Sequence, residues 1–238
     1  MTNKRGVFMR EAVILAGGFG TRLRSAVPDL PKAMAPVAGK PFLEILLAHL
    51  EKKGIRHVIL SVGYLAEIIE SHFGDSFASL HISYAYEDEP LGTGGALRFA
   101  MQQCREDVVL ALNGDTFLDV DLEQAGQDWR HHRAPILFGV QSDDTARYGS
   151  LLTDGRRVTG FLEKGRKGPG IINAGSYLFP VTLFDGQNLP ASFSLEQDFL
   201  AREISRRAFR LFPIDEPFID IGVPEDYLLA QTYLKRYA

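Results

Sequence analysis

Residues 11–41 read EAVILAGGFGTRLRSAVPDLPKAMAPVAGKP, a short and largely apolar run followed by a long irregular loop. The run predicts a β-strand over 11–16. From residue 15 to residue 41 the chain carries four glycines, four prolines and four basic residues against a single acid, Asp29. A loop of this length is uncommon unless it has a function. Because glycine lets backbone N–H groups approach anionic oxygens closely, the stretch predicts a phosphate site.

Two common phosphate-binding motifs do not fit this loop. Counting from Gly18, Leu23 stands where the third glycine of the dinucleotide motif belongs. The one Gly-Lys pair is followed by Pro41 rather than by the Ser or Thr of a P-loop. What remains is a glycine-rich turn with Arg22, whose planar fork suits phosphate, and Lys32, which supplies a mobile point charge.

The rest of the chain alternates strand-like and helix-like patterns. Strand patterns lie at 11–16, 57–62, 81–87, 107–115 and 135–141, and helical spacing occurs at 41–54, 65–74 and 95–104. This rhythm predicts an α/β fold with mainly parallel strands. After residue 142 we expect antiparallel strands around an Asp-Gly turn, a strand at 172–180, a helix near 195–207 and a C-terminal helix beginning at Pro224.

Composition excludes several functional classes. The chain has 238 residues, 45% hydrophobic residues and a net charge of −4, without the basic excess of a nucleic-acid binder. No run of 18 apolar residues and no signal peptide is recognisable, so we expect no membrane association. The single cysteine, Cys104, excludes an internal disulfide and favours a reducing cytoplasm. Without a linker or repeat, residues 1–238 are interpreted as one domain.

Six segments, in order, carry a resemblance that spans essentially the whole chain. The loop at 15–41 and the later segments EPLGTGGAL, LNGDT, FLEKG, INAGSYLF and FIDIGVPEDYLLA resemble the signature of the sugar-1-phosphate nucleotidyltransferases. In length, and without a C-terminal β-helix, the chain is most similar to the D-glycero-α-D-manno-heptose 1-phosphate guanylyltransferases. The resemblance implies a Rossmann-like three-layer sandwich with a mainly parallel mixed sheet, of the nucleotide-diphospho-sugar transferase type.

The resemblance also implies a reaction. GTP and the heptose 1-phosphate would give GDP-heptose and pyrophosphate, for bacterial surface polysaccharide, by in-line attack of the sugar phosphate on the α-phosphorus. The implied catalytic residues are Arg22, Lys32 and Asp115, with Mg²⁺ held by Asp115 and Asp220. Residues 1–142 would bind the nucleotide and residues 143–238 the sugar phosphate. Whether the protein forms a homodimer stays open.

Further positions are carried over from the family segments. Those expected at the nucleotide are Leu15, Ala16, Gly17, Gly18, Gly20, Thr21, Glu87, Pro90, Gly92, Thr93, Asn113 and Gly114. Those expected at the sugar phosphate are Glu163, Lys164, Asn173 and Gly175. Glu87 favours guanine, because a carboxylate only accepts hydrogen bonds and guanine presents two adjacent donors. If the alignment with the family segment is shifted by one or two residues, Asp88 or Glu89 would contact the base instead.

Several interpretations stay open at this point. Gly165 replaces the proline that many relatives have after Glu-Lys, so Arg166 and Lys167 are either phosphate contacts or solvated charges, and we favour the latter. Asp119 is better explained by turn chemistry and Asp226 by polarity at a helix start. Alternative functions are a uridylyl- or cytidylyltransferase acting on a hexose or amino-sugar 1-phosphate, and a non-catalytic regulatory subunit that binds sugar nucleotides.

Overall fold

The computed structural model describes residues 9–18, 20, 23, 27–215 and 218–238. Its strands are β1 (Glu11–Leu15), β2 (Pro36–Val37), β3 (Lys40–Pro41), β4 (His57–Val62), β5 (Ser76–Phe77), β6 (Leu80–Tyr86), β7 (Val108–Asn113), β8 (Thr116–Leu118), β9 (Ile136–Ser142), β10 (Ser150–Asp154), β11 (Arg157–Leu162), β12 (Gly170–Pro180), β13 (Phe209–Ile214) and β14 (Phe218–Asp220). Its helices are α1 (Phe42–Lys52), α2 (Ala66–Phe73), α3 (Gly92–Met101), α4 (Leu122–His132), α5 (Ala201–Glu203) and α6 (Pro224–Tyr233). A π-helix covers Leu195–Leu200, and 3-10 turns cover Lys32–Met34 and Leu234–Arg236.

One ten-stranded sheet contains strands from both halves of the sequence, in the order β10-β11-β13-β9-β12-β7-β1-β4-β6-β5. Its centre is parallel: β1 pairs with β4 and β7, and β4 pairs with β6. The long strand β12 lies antiparallel between β7 and β9, which joins the second half of the chain to the first. The expectation of an α/β fold with a mixed sheet is therefore confirmed.

Alternating side chains bury the central sheet on both faces. In β1, Ala12 and Ile14 face a core that includes residues of α1, α2 and α4, whereas Val13 faces a second core that includes residues of α3. Strands buried on both faces form continuous apolar runs, and every residue of β4 is buried. Helices on either side of one sheet make the three layers that the resemblance implied.

Two helical segments differ from the sequence-based expectations. Helix α4 was not anticipated, because its sequence LEQAGQDWRHH is mostly polar. It buries Leu122, Ala125 and Trp129 at helical spacing, and Asp121 caps it by accepting from the Gln124 N–H at 2.9 Å. The helix expected near 195–207 is instead a π-helix followed by the short α5.

The last described elements of the chain are β14, α6 and a 3-10 turn, and among the described residues no β-helix follows the sheet. None of the helices in the described ranges is long and apolar enough to cross a membrane.

The topology brings several chain segments to one edge of the sheet. The parallel strands β1, β4 and β7 run in the same direction, so their carboxyl ends at Leu15, Val62 and Asn113 share that edge. Immediately after β7 the chain forms β8, which pairs antiparallel with β14 so that Thr116 faces Asp220. Ligands of open α/β sheets bind at the carboxyl ends of the strands, which predicts a ligand site at this edge.

Candidate active site

A cleft of about 620 Å³ opens at the carboxyl edge of the parallel strands. The described residues that line it are Leu15, Ala16, Gly17, Gly18, Gly20, Lys32, Ala33, Gly63, Tyr64, Glu87, Asp88, Pro90, Gly92, Thr93, Ala96, Asn113, Gly114, Asp115 and Gly222. Most of the positions expected at the nucleotide are thus brought together in one concave surface. Thr21 and Arg22 lie outside the described residues.

The loop after β1 forms one wall of this cleft. Ala16 N–H donates to the carbonyl of Ser61 at 2.8 Å, which continues the pairing of β1 with β4 beyond the strand end. Gly17 follows, and a Cβ there would lie 2.7 Å from Oε1 of Glu87. Glycine is therefore required for the loop to approach Glu87 closely.

Lys32 lies between two carboxylates. Its Nζ contacts Oδ2 of Asp115 and lies 3.9 Å from Oδ1 of Asp220, and its side chain is only 12% exposed. Asp115 directly precedes β8 and Asp220 ends β14, so the pairing of these two strands sets the carboxylates side by side. The Ile221 N–H donates to the carbonyl of Asp115 at 2.9 Å, which ties the two segments together.

Gly222 also lines the cleft and was missed by the sequence analysis. Its N–H donates to Oδ1 of Asp220 at 2.6 Å, so the turn after β14 orients this carboxylate. A glycine two residues after an acid in FIDIGVPEDY is the local signal that could have identified it.

Two hydrogen bonds hold the Glu87 carboxylate in the lining of the cleft. Its Oε1 accepts from the Ser61 hydroxyl at 3.0 Å, and its Oε2 accepts from the Leu91 N–H at 3.1 Å. Each carboxylate oxygen has two lone pairs, so each retains capacity for a ligand donor. Asp88 lines the same wall, whereas Glu89 does not.

Asn113 and Gly114, at the end of β7, contact the neighbouring strands β12 and β1. The Gly114 N–H donates to the carbonyl of Leu15 at 2.9 Å, which closes the floor between β1 and β7. Gly175, in β12, packs against the Asn113 amide so closely that a Cβ would lie 2.4 Å from Nδ2.

The residues expected at the sugar phosphate lie outside the lining of the cleft. Glu163 and Lys164 are exposed in the turn after β11, where the Gly165 N–H donates to the carbonyl of Ala146 at 2.8 Å. Asn173 donates through Nδ2 to the hydroxyl of Tyr177 at 2.7 Å. Arg166 and Lys167 are also exposed.

Asp226 makes tertiary contacts that its position in the first turn of α6 did not predict. It is 9% exposed, forms an ion pair with Arg147 and accepts from the Tyr148 hydroxyl at 3.4 Å. The hydrogen bond to Asp226 raises the pKa of Arg147, and burial raises the pKa of Tyr148 to about 12. The charge of Asp220 also contributes to raising both pKa values.

Asp119 is likewise more than a turn residue. It forms an ion pair with Lys53 at 2.5 Å and accepts from the Tyr237 hydroxyl at 3.0 Å. His49 lies beside it with its side chain 6% exposed, and burial lowers the pKa of His49 to about 4.

In the parts of the chain that the structure describes, no group of three or more His, Cys, Asp or Glu side chains could hold a metal ion.

Three comparisons with known proteins match the chain over nearly its full length. The profile of the family described as "Nucleotidyl transferase" matches residues 11–236. The D-glycero-alpha-D-manno-heptose 1-phosphate guanylyltransferase of Aneurinibacillus thermoaerophilus is 43% identical, over 95% of this chain and 99% of that protein. The protein of the same name from Campylobacter jejuni subsp. jejuni is 42% identical, over 91% of this chain and 96% of that protein. The crystal structure of HddC from Yersinia pseudotuberculosis complexed with GMP-PN is 39% identical, with a TM-score of 0.84, and the match covers 95% of this chain and all of that chain.

Proposed function

Because the chain belongs to the nucleotidyl transferase family, we propose that it joins GTP and D-glycero-α-D-manno-heptose 1-phosphate to give GDP-heptose and pyrophosphate. The full-length similarity to two proteins named as guanylyltransferases for this sugar phosphate carries the proposal. The cleft adds support, because one concave surface combines a glycine loop, a lysine and a carboxylate.

In this reaction an oxygen of the sugar phosphate attacks the α-phosphorus of GTP. A new P–O bond forms, and the bond from the α-phosphorus to the oxygen that bridges to the β-phosphate breaks, so pyrophosphate leaves with that oxygen. The substrate supplies the nucleophile, and no side chain has to form a covalent intermediate. The protein's tasks are to align two anions that repel each other and to neutralise the charge that develops on the leaving group.

We assign that neutralisation to Lys32, which lines the cleft. Its ammonium group is mobile on a four-carbon stem and can turn from Asp115 toward a bound triphosphate. The backbone of Gly17, Gly18 and Gly20 lines the same wall and offers N–H donors to phosphate oxygens. Arg22 is assigned the second basic role from the family signature alone.

The donor set at Asp115 and Asp220 fits a magnesium ion. Mg²⁺ is commonly bound by one or two carboxylates together with waters and substrate phosphates. The ammonium group of Lys32 already lies between these two carboxylates, so the protein places positive charge where a divalent cation would be held. When bound there, Mg²⁺ would polarise the phosphate oxygens and neutralise their charge.

We assign Glu87, in the lining of the same cleft, to the guanine edge. Its carboxylate is fixed by Ser61 and Leu91 and accepts hydrogen bonds only, which matches the N1–H and the exocyclic amine of guanine. On the sugar-phosphate side, Glu163, Lys164, Asn173 and Gly175 stay assigned by their family segments. The reaction would take place in the cytoplasm and supply activated heptose for surface polysaccharide.

A substrate panel tests this function. The protein is incubated with Mg²⁺, each of four nucleoside triphosphates and a set of sugar 1-phosphates, and pyrophosphate release is measured. The highest turnover is expected with GTP and the heptose 1-phosphate. Best turnover with UTP and an amino-sugar phosphate would overturn the guanylyl assignment, and binding without pyrophosphate release would indicate a regulatory subunit.

A further inference from the structure

A chain of hydrogen-bonded polar side chains runs from Thr93, in the lining of the cleft, to strand β12. At its centre is Glu196, on the π-helix. Its Oε2 accepts from the Thr93 hydroxyl at 2.9 Å, and its Oε1 accepts from the Tyr177 hydroxyl at 3.1 Å. Tyr177 is 1% exposed, and burial raises its pKa well above the ordinary value.

The directions of these hydrogen bonds are determined by the carboxylate. A carboxylate can only accept, so the hydroxyls of Thr93 and Tyr177 must both donate to Glu196. Each hydroxyl oxygen in turn accepts from a further group. The Leu195 N–H donates to Thr93 at 2.9 Å, and Nδ2 of Asn173 donates to Tyr177 at 2.7 Å.

Both ends of this chain lie beside proposed substrate positions. Thr93 follows Gly92 in the first turn of α3, and both residues line the cleft near Glu87. At the other end, Asn173 and Tyr177 flank Gly175 in β12, which packs against Asn113 of the cleft. Through its hydrogen bonds, Glu196 therefore connects the proposed nucleotide side to the proposed sugar-phosphate side.

The segment that carries Glu196 packs directly against α3. The carbonyl of Phe193 accepts from the Gly94 N–H at 2.9 Å, and Ser194 caps the π-helix by accepting from the Gln197 N–H at 3.1 Å. The Ser194 hydroxyl also donates to Oε2 of Glu196 at 3.3 Å. π-Helical turns are rare and occur frequently at functional sites.

From this arrangement we infer that Glu196 is a positioning residue for nucleotidyl transfer. It holds the start of α3 and strand β12 at one separation, so that both substrates meet in line. It acts through Thr93 and Tyr177 and does not touch substrate. The inference rests on the proposed function, since it requires a nucleotide at α3 and a sugar phosphate near β12.

A double-mutant cycle tests the connection. Thr93→Val and Tyr177→Phe each remove one hydroxyl from Glu196, and Glu196→Gln removes the charge at constant size. Each single variant is expected to lower kcat/KM about tenfold, the order expected when a hydrogen bond to a charged group is lost. Because both hydroxyls act through one carboxylate, the Thr93→Val/Tyr177→Phe double variant should lose about tenfold rather than about a hundredfold.

A binding measurement separates positioning from a local effect. Tyr177 lies outside the cleft lining, yet Tyr177→Phe should weaken GTP binding several-fold when no sugar phosphate is present, measured by calorimetry. Tyr84→Phe is the matched control, because its hydroxyl donates to the carbonyl of Gly74 at 2.6 Å, away from this network. Thr93→Ser retains the hydroxyl and should therefore lose clearly less activity than Thr93→Val.

Three results would overturn the inference: additive losses in the double variant, wild-type GTP affinity in Tyr177→Phe, or a loss in Thr93→Ser equal to that in Thr93→Val. Thermal unfolding of each variant shows whether it is folded at the assay temperature. If the substrate panel identifies another nucleotide and sugar phosphate, the proposed function fails, and the cycle is measured with that pair.

Discussion

The Nζ atom of Lys32 lies 3.9 Å from Oδ1 of Asp220 and also contacts Asp115, so one ammonium group bridges two carboxylates from distant parts of the sequence. Without this charge the two carboxylates would repel each other in a half-buried setting. A divalent cation bound here would take over the same electrostatic task. We therefore expect Lys32 to compete with the cation when no nucleotide is bound, and to turn toward phosphate when it is.

Asp220→Asn should lower kcat for pyrophosphate formation by about a hundredfold or more, the range seen when one preorganised electrostatic contact is removed from an active site. The variant keeps the size of the side chain, so its thermal unfolding should change little. Glu225→Gln removes the same charge from an exposed position five residues later and serves as the control. Turnover close to that of the wild type in Asp220→Asn would exclude this carboxylate from the reaction.

Lys32→Met should reduce turnover and increase the stabilisation by Mg²⁺. Removing the ammonium leaves Asp115 and Asp220 facing each other, so the metal-free variant should unfold at a lower temperature at neutral pH. Added Mg²⁺ should raise its Tm by more than it raises the Tm of the wild type. Lys40→Met is the control, because Lys40 pairs with Glu44 at 3.3 Å on the surface. An equal effect of Mg²⁺ on variant and wild type would contradict the competition.

Glu87→Gln should change the preference for the nucleobase. The amide keeps one acceptor but presents a donor toward guanine, so kcat/KM for GTP should fall by about tenfold or more, with little loss for UTP. Glu89→Gln is the matched control, since Glu89 is exposed and does not line the cleft. Unchanged base preference in Glu87→Gln, together with altered preference in Asp88→Asn, would transfer the role to Asp88.

Gly92→Ala should destabilise the fold by more than backbone strain alone. Gly92 has a φ of +67°, and a Cβ there would lie 2.6 Å from the carbonyl oxygen of Phe193. Gly74 has a φ of +58° with nothing within 4 Å of its Cβ position, so Gly74→Ala measures the strain by itself. We expect a loss in the free energy of unfolding of about 1–3 kcal/mol for Gly74→Ala and clearly more for Gly92→Ala, measured by urea unfolding. Equal losses would mean that the contact with Phe193 relaxes easily.

His49 should make stability fall as the pH is lowered from 6.5 to 4. Burial lowers the pKa of His49 in the folded protein to about 4 from an ordinary value of 6.5, so the unfolded chain binds the proton first. The contribution of His49 to the free energy of unfolding is then fully present above pH 6.5, and up to about 3 kcal/mol of it is lost on reaching pH 4. Asp119, whose pKa is lowered below 3.8, adds its own loss only at lower pH.

The measurement is urea unfolding at several pH values for the wild type and His49→Gln. The variant should show a flatter dependence between pH 6.5 and 4, whereas the exposed His131→Gln should match the wild type. An identical slope in all three proteins would mean that His49 does not remain neutral in the folded state.

Much of the fold follows from local patterns. The apolar runs that became β1, β4 and β7 are strands buried on both faces, and such strands are recognisable from composition alone. Helix α4 escaped recognition because only one narrow face of a polar segment packs on the sheet. The π-helix at Leu195–Leu200 was also unpredictable, because contacts with Thr93 and Tyr177, distant in the sequence, accompany it.

By itself the sequence determined the glycine-rich loop after the first strand, its excess of positive charge and an acid directly after an apolar strand, since these are properties of neighbouring residues. Only the tertiary structure decided which groups meet. Asp220 lies beside Lys32 because β14 pairs with β8. Asp226 forms an ion pair with Arg147, a contact that its position at the start of α6 did not predict. Glu196 joins α3 to β12 in the same way. Such contacts depend on strand pairing and packing between segments far apart in the chain, which no local pattern of residues encodes.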